Sequence, residues 1–276
     1  MARRSAVPAF RRSLCPVIFS GMRGFDILIQ GGQSNGVGRG VGKLIWLTDD
    51  RLDRRIFQIG RFGDEDRQII PAFPRLHFRL TKPEPFNNRH TYAFSLARLY
   101  AAEYLEEGRS VLIIPAAEVG SSSERWLGNL YEDMADRIRL ALAQEGENRI
   151  IWYSEQQGEW DAEHTPKLNI AAGVARFKAN KLAFLEKLRS DFGDIPAMLG
   201  GFVPAWAAKR EWRRQTEAAI REVCASVPNC AYVPTEGLKG VPQMPVHFTS
   251  MGLEFLAKRH FAAFQSLRGY RSATPT

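Results

Sequence analysis

A chain of 276 residues with 45% hydrophobic and 25% charged residues has enough apolar material for one large buried core, and no run approaches the ~18 apolar residues of a membrane span. The formal charge of +8 raises a nucleic-acid reading. However, the basic residues are spread over pairs such as Arg3-Arg4, Arg11-Arg12, Arg54-Arg55 and Arg213-Arg214, the pattern of solvated helix faces and termini, so neither a nucleic acid nor a membrane is expected as partner. Cys15, Cys224 and Cys230 are odd in number and lack metal-ligand spacing; Cys224 and Cys230 read as buried free thiols sooner than as a disulfide.

Residues 1–21 carry four arginines and no acid, and their apolar centre from Cys15 to Phe19 is too short for a signal peptide. This stretch is read as an extension foreign to a single domain at 22–270, and a cytoplasmic location is favoured over secretion. The domain opens on Phe25, Ile27, Leu28 and Ile29, an apolar run suited to a strand buried on both faces, which empties into Gly31-Gly32-Gln33-Ser34-Asn35-Gly36. Glycines there allow a sharp turn and close backbone approach, and they leave one serine at the strand exit.

Further along, Arg55 to Ile59 is a short strand, followed by a charged loop and a Pro-punctuated stretch. The 43–86 segment offers Trp46, Phe57, Phe73 and Phe86 either as core or as stacking faces. Asn88 is placed as the cap of a helix with Tyr92, Leu96, Leu99 and Tyr100 on its apolar face. Val111 to Ile114 is a strand, and Leu127, Leu130, Tyr131, Met134 and Ile138 stripe a second helix. Arg149 to Tyr153 is a strand, and Ile170, Val174, Phe177, Phe184 and Leu188 mark a long third helix. Ala197 to Val203 and Ala231 to Val233 are strands on either side of a helix at 212–227, and a final helix starts near Ser250. Such alternation predicts a three-layer α/β/α sandwich around a parallel sheet.

Chemically suggestive residues recur where these strands end. They are Glu118 to Trp126 after the strand at Val111, Gln156-Gln157-Gly158-Glu159-Trp160-Asp161 after the strand at Arg149, and His247-Phe248 before the last helix. In an open α/β sheet these strand ends form the ligand crevice.

In their order, these blocks resemble the SGNH hydrolases, and within them the sialate O-acetylesterase-like and acetylxylan-esterase-like carbohydrate esterases. Gly32-Gln33-Ser34-Asn35 matches the nucleophile block. Gly120-Ser121 with Trp126 resembles the Gly-Gly-Thr…Trp block, with Val119 in place of its first glycine. Trp152 and Gln157-Gly158-Glu159 resemble the Trp-His-Gln-Gly-Glu block, with extra residues between Trp and Gln. Pro234 to Leu238, His247-Phe248, Gly252-Leu253 and Lys258-Arg259 resemble the closing segment.

The resemblance implies a flavodoxin-like sheet and a serine esterase that removes O-acetyl groups from a sugar or glycan, with no metal or cofactor. It makes Ser34 the nucleophile and His247 its base. The backbone N–H groups of Ser34 and Gly120, with the Gln157 side-chain amide, become oxyanion donors. Gln33, Asn35, Ser121, Trp126 and His90 are the pocket candidates.

The family's Asp three residues before the His is replaced here by Met244, so the acid is assigned to Glu159, with Glu236 and Asp161 as alternatives. A catalytically weak or inactive carbohydrate-binding relative is the alternative from another class. Gly32 to Gly36 also satisfies the Gly-x-Ser-x-Gly elbow of α/β-hydrolases, although that elbow normally follows several strands. The glycines from Gly36 to Gly42 meet no dinucleotide-binding pattern. The particular sugar and the oligomeric state are not legible.

Overall fold

The computed structural model of the protein describes residues 21–38, 53–78, 90–165 and 169–267. The extension up to residue 20, with Cys15, and the expected roles of Trp46, Phe86 and Asn88 lie outside these residues.

Seven strands form one sheet in the order β3-β2-β4-β1-β5-β6-β7. They are β1 (Gly24–Gly32), β2 (Ile56–Ile59), β3 (Ile69–Pro71), β4 (Arg109–Pro115), β5 (Arg149–Gln156), β6 (Ala197–Gly200) and β7 (Cys230–Val233). Every pairing is parallel except that of β3, which folds back antiparallel on β2 at the edge. All nine residues of β1 are buried, as its continuous apolar run requires, with Leu28 opposite Ile113 of β4 and Trp152 of β5.

One helical layer contains α2 (Tyr92–Glu103) and α8 (Ser250–Ser266), and the other α3 (Asn129–Leu142), α5 (Ile170–Phe192) and α7 (Glu211–Ser226). Neighbouring strand residues point to opposite layers. Trp152 meets Phe264 of α8 at 4.7 Å and Tyr100 of α2 at 5.2 Å, whereas Tyr153 meets Phe184 of α5 at 5.1 Å. The three-layer α/β/α architecture read from the alternation is therefore the one observed.

Local chemistry sets the helix starts. Thr91 caps α2 by accepting from Ala93 N, displacing the cap expected at Asn88. Asn169 caps α5 and Thr249 caps α8 in the same way. Phe57 is buried in β2, edge-on to Phe25, and so serves the core, whereas Phe73 is exposed. Cys224 and Cys230 are free thiols, the first buried and the second half-buried. Among the described residues no helix is long and apolar enough to cross a membrane.

Several elements were not expected, β3 among them. The short helices α4 (Glu159–His164) and α6 (Pro204–Ala207) follow β5 and β6 directly. A hairpin of β8 (Gly240–Val241) and β9 (Met244–Phe248) stands outside the main sheet and carries His247. Pro245 interrupts the alternation that would have betrayed β9.

The order places a topological switch at β1, because the chain runs first to the β4 side and then to the β5 side. At this carboxyl end the backbones come very close. A Cβ on Gly32, whose φ is +100°, would lie 2.3 Å from the Gln156 carbonyl oxygen, and one on Gly31 would lie 2.2 Å from Tyr153 Oη. Gly32→Ala is expected to cost about 3 kcal/mol or more, since backbone meets backbone and φ is positive. Urea unfolding measures this, and a loss under 1 kcal/mol would contradict the close approach.

Candidate active site

β1 ends at Gly32 and the chain turns at once into α1 (Ser34–Val37), a single helical turn closed by Gly38 in the left-handed region. Ser34 thus stands at the carboxyl end of the central strand, between the ends of β4 and β5. His247 of β9 brings its Nε2 to 3.0 Å from Ser34 Oγ, across 213 residues of sequence. Both side chains line a cavity of about 340 Å³ and are otherwise buried.

Asn35 is fully buried and joins three segments. Its Nδ2 donates to Glu159 Oε1 at 2.6 Å and to the Val246 carbonyl at 3.0 Å, and its Oδ1 accepts from Phe248 N at 3.1 Å. The peptide groups on both sides of His247 are therefore held by the residue next to Ser34. Asn35 was expected in the pocket wall; the structure makes it a clamp beneath the wall instead.

Glu159 begins α4, lines the cavity and is 2% exposed. Burial pushes its carboxyl up to about 7, against the pull of the Asn35 hydrogen bond. Its Oε2 has no hydrogen-bond partner among the described residues. Gln33 also lines the cavity, and its Oε1 accepts from Trp160 N at 3.2 Å, tying the nucleophile loop to α4. Gly120, with φ of +70°, and Val119 form the wall on the β4 side.

Several expected site residues lie elsewhere. The Gln157 amide donates to the Ser121 carbonyl at 2.9 Å and does not face the cavity, so in this geometry it braces the β4 loop. Ser121 is buried with its hydroxyl on the Gly32 carbonyl and on Gln157, and it accepts from Trp126 Nε1 at 3.2 Å. Trp126 packs edge-on against Phe184 in the core. His90 pairs with Glu254 at the start of α8, and Ser95 Oγ donates to that same carboxylate at 2.7 Å, so His90 ties the two helices together.

Neither alternative acid faces His247. Asp161 accepts from Ser123 N and Oγ, and Glu236 is exposed and pairs with Arg221. His260 is fully buried on Tyr92, and burial lowers its pKa to about 3, which keeps it neutral.

The cavity also has a wall that the sequence reading missed: Trp160, Glu163 and His164 of α4, Trp206 of α6, Arg213 of α7, and Val246. Trp160 directly follows the Gln-Gly-Glu block, and Trp206 follows the end of β6, so the strand-end rule applied to β6 would have found it. Arg213, read as part of a solvated pair, is 11% exposed in its side chain, whereas Arg214 is 52% exposed.

The buried carboxyl makes stability depend on pH. Between its ordinary value of 4.5 and its folded value of about 7, the native state holds a proton that the unfolded chain has released. The stability contributed this way is full below 4.5 and is lost as pH rises through about 7. Relative to Glu159→Gln, the wild type should lose on the order of 3 kcal/mol of unfolding free energy across that window. Urea titrations at several pH values test this, and a constant difference between the two proteins would show that the carboxyl is not raised.

The sequence model of the family described as "SASA: Carbohydrate esterase, sialic acid-specific acetylesterase" matches residues 24–266. No curated protein sequence matches the chain. A solved protein of Arabidopsis thaliana superposes with a TM-score of 0.68 at 18% identity, over 87% of this chain and 98% of that one. The structure of NanS superposes at 0.64 and 18% identity, over 89% and 98%. A carbohydrate acetylesterase from Xanthomonas citri superposes at 0.60 and 15% identity, over 88% of this chain and 56% of that one. These likenesses concern the fold alone, a three-layer α/β/α sandwich, and the family match covers nearly all of the described chain. The chain belongs to the sialic acid-specific acetylesterase family of carbohydrate esterases.

Proposed function

We propose that the chain is a serine esterase that removes O-acetyl groups from a sugar or glycan through an acetyl-enzyme. The observation that carries this reading is the 3.0 Å contact of Ser34 Oγ with His247 Nε2 at the wall of a cavity at the sheet's switch point. A serine hydroxyl is a weak nucleophile, and an imidazole at this distance takes its proton as the oxygen attacks the ester carbonyl. Val119 and Gly120 line the cavity with Ser34, and the backbone N–H groups of Ser34 and Gly120 are the donors proposed for the tetrahedral oxyanion. His247 then passes the proton to the departing sugar oxygen, and a water repeats the sequence to release acetate.

Glu159 is the proposed acid behind His247. It lines the same cavity as the imidazole, its second oxygen is buried, and the Asn35 amide links it to the strand that carries His247. Met244 begins β9 and cannot supply the charge. Glu159 ionises near neutrality, so the charge that steadies an imidazolium builds up as pH rises through about 7.

Two outcomes test this reading. Ser34→Ala should abolish release of acetate from an acetyl ester and leave the melting temperature nearly unchanged; retained turnover would remove the serine mechanism. A wild type that binds acetylated sugar and releases no acetate would favour a carbohydrate-binding relative. Separately, Glu159→Gln should lower kcat by about 10²- to 10⁴-fold, because the amide keeps shape and loses charge. Near-wild-type kcat in that variant, with a collapse in Glu236→Gln, would move the acid to Glu236.

A further inference from the structure

Cys224 and Cys230 are free thiols whose Sγ atoms lie 3.6 Å apart. Packing brings them there. Cys224 stands in the last turn of α7, and Cys230 opens β7, the strand that α7 covers. Beside them, Tyr232 Oη of β7 donates to Glu217 of α7 at 2.7 Å, and the Arg221 guanidinium lies over the Tyr232 ring at 3.8 Å. The turn between the two cysteines is held from outside. Arg189 Nη2 of α5 donates to the Pro228 and Asn229 carbonyls at 2.5 and 3.1 Å, and Ala197 N of β6 donates to the second of them at 3.0 Å. Helix, turn and strand thus hold the sulfurs face to face.

A disulfide needs its sulfurs about 2.05 Å apart, so this pair has about 1.5 Å left to close, a distance within reach of rotation about the two Cα–Cβ bonds. Access differs between the thiols. Cys224 is buried and Cys230 is half-buried, so an oxidant in water meets Cys230 first. Cys230 Sγ attacks one oxygen of a peroxide and the O–O bond breaks. The other hydroxyl leaves with the thiol proton as water, and Cys230 becomes a sulfenic acid. Cys224 Sγ then attacks the Cys230 sulfur. The S–S bond forms, the S–O bond breaks, and a second water carries away the hydroxyl and the Cys224 proton. The two thiols lose two electrons and the peroxide takes them.

The place of the pair gives the bond a consequence. Among the described residues β7 has a strand neighbour on one side only, and three of its four residues are half-buried. Such an edge opens more readily than the centre of a sheet. β7 also leads, through residues 234–239, into the hairpin that carries His247.

We propose that Cys224 and Cys230 form a redox-modification site, at which a peroxide closes a disulfide that fastens the edge strand β7 to α7. The site does not depend on the esterase reading above.

The test treats the reduced full-length chain with hydrogen peroxide, alkylates the remaining thiols and digests the chain with trypsin. Both cysteines fall in one tryptic peptide, residues 222–239. That peptide should lose two hydrogens and take up no alkylating reagent, and dithiothreitol should restore both thiols. Cys224→Ser should leave Cys230 as a sulfenic acid that dimedone traps. In urea the oxidised chain should show an unfolding equilibrium constant roughly 50-fold lower than the reduced chain, the effect of closing so short a ring. Amide exchange over residues 227–233 should slow about tenfold or more. Neither change should follow peroxide in Cys230→Ser. A wild-type peptide still alkylated at both positions after peroxide has consumed free cysteine, or one carrying sulfinic acid in place of the link, would overturn the site. A linked peptide with unchanged amide exchange would overturn the fastening of β7.

Discussion

The two halves of the candidate site, 213 residues apart in sequence, meet because one buried amide spans them. Asn35 sits next to Ser34 and is saturated: both Nδ2 protons and its Oδ1 are spent on Glu159, Val246 and Phe248. β9 belongs to a two-stranded hairpin with no place in the main sheet, so the ladder that aligns the other strands does not position His247. Each buried backbone group left unpaired would cost about 1–3 kcal/mol, which is enough to fix the hairpin against the nucleophile loop.

This clamp depends on the glycine end of β1. Gly31 and Gly32 let Tyr153 and the Gln156 backbone close on β1, and Gln33 N then bonds the Gln156 carbonyl at 2.8 Å. The chain leaves the sheet in one step, so Ser34 and Asn35 emerge on opposite duties, one into the cavity and one beneath it. The same amide that secures β9 also holds Glu159, whose burial raises its pKa to about 7. Desolvation costs stability when the carboxyl ionises, and it keeps a titrating charge in the proposed site where Met244 offers none.

The far wall follows a different logic. Its polar groups are balanced against each other, Glu163 with Arg213; Trp160 is stacked on His164, and the Arg213 guanidinium lies over Trp206.

Strand–helix alternation, the buried β1 run and the glycine turn were legible in the sequence because they are local: period, apolar continuity and backbone freedom are properties of adjacent residues. So was the gathering of the strand-end blocks, since a parallel sheet brings its carboxyl ends together whatever the loops contain. Which way each side chain in those blocks points was not legible. Asn35, Ser121, Trp126, His90 and Gln157 share motifs or strand ends with the cavity residues yet turn into the core or onto neighbouring loops, because only long-range packing decides which face of a turn is covered. Arg213 looked like one of a solvated pair until Trp206 and Glu163 came up beside it from other elements. By itself, the sequence determined the layered sheet and the strand ends at which chemistry gathers. The tertiary structure alone decided the hairpin that carries His247, the amide that holds it and the wall that faces it, since each rests on contacts between segments far apart in the chain.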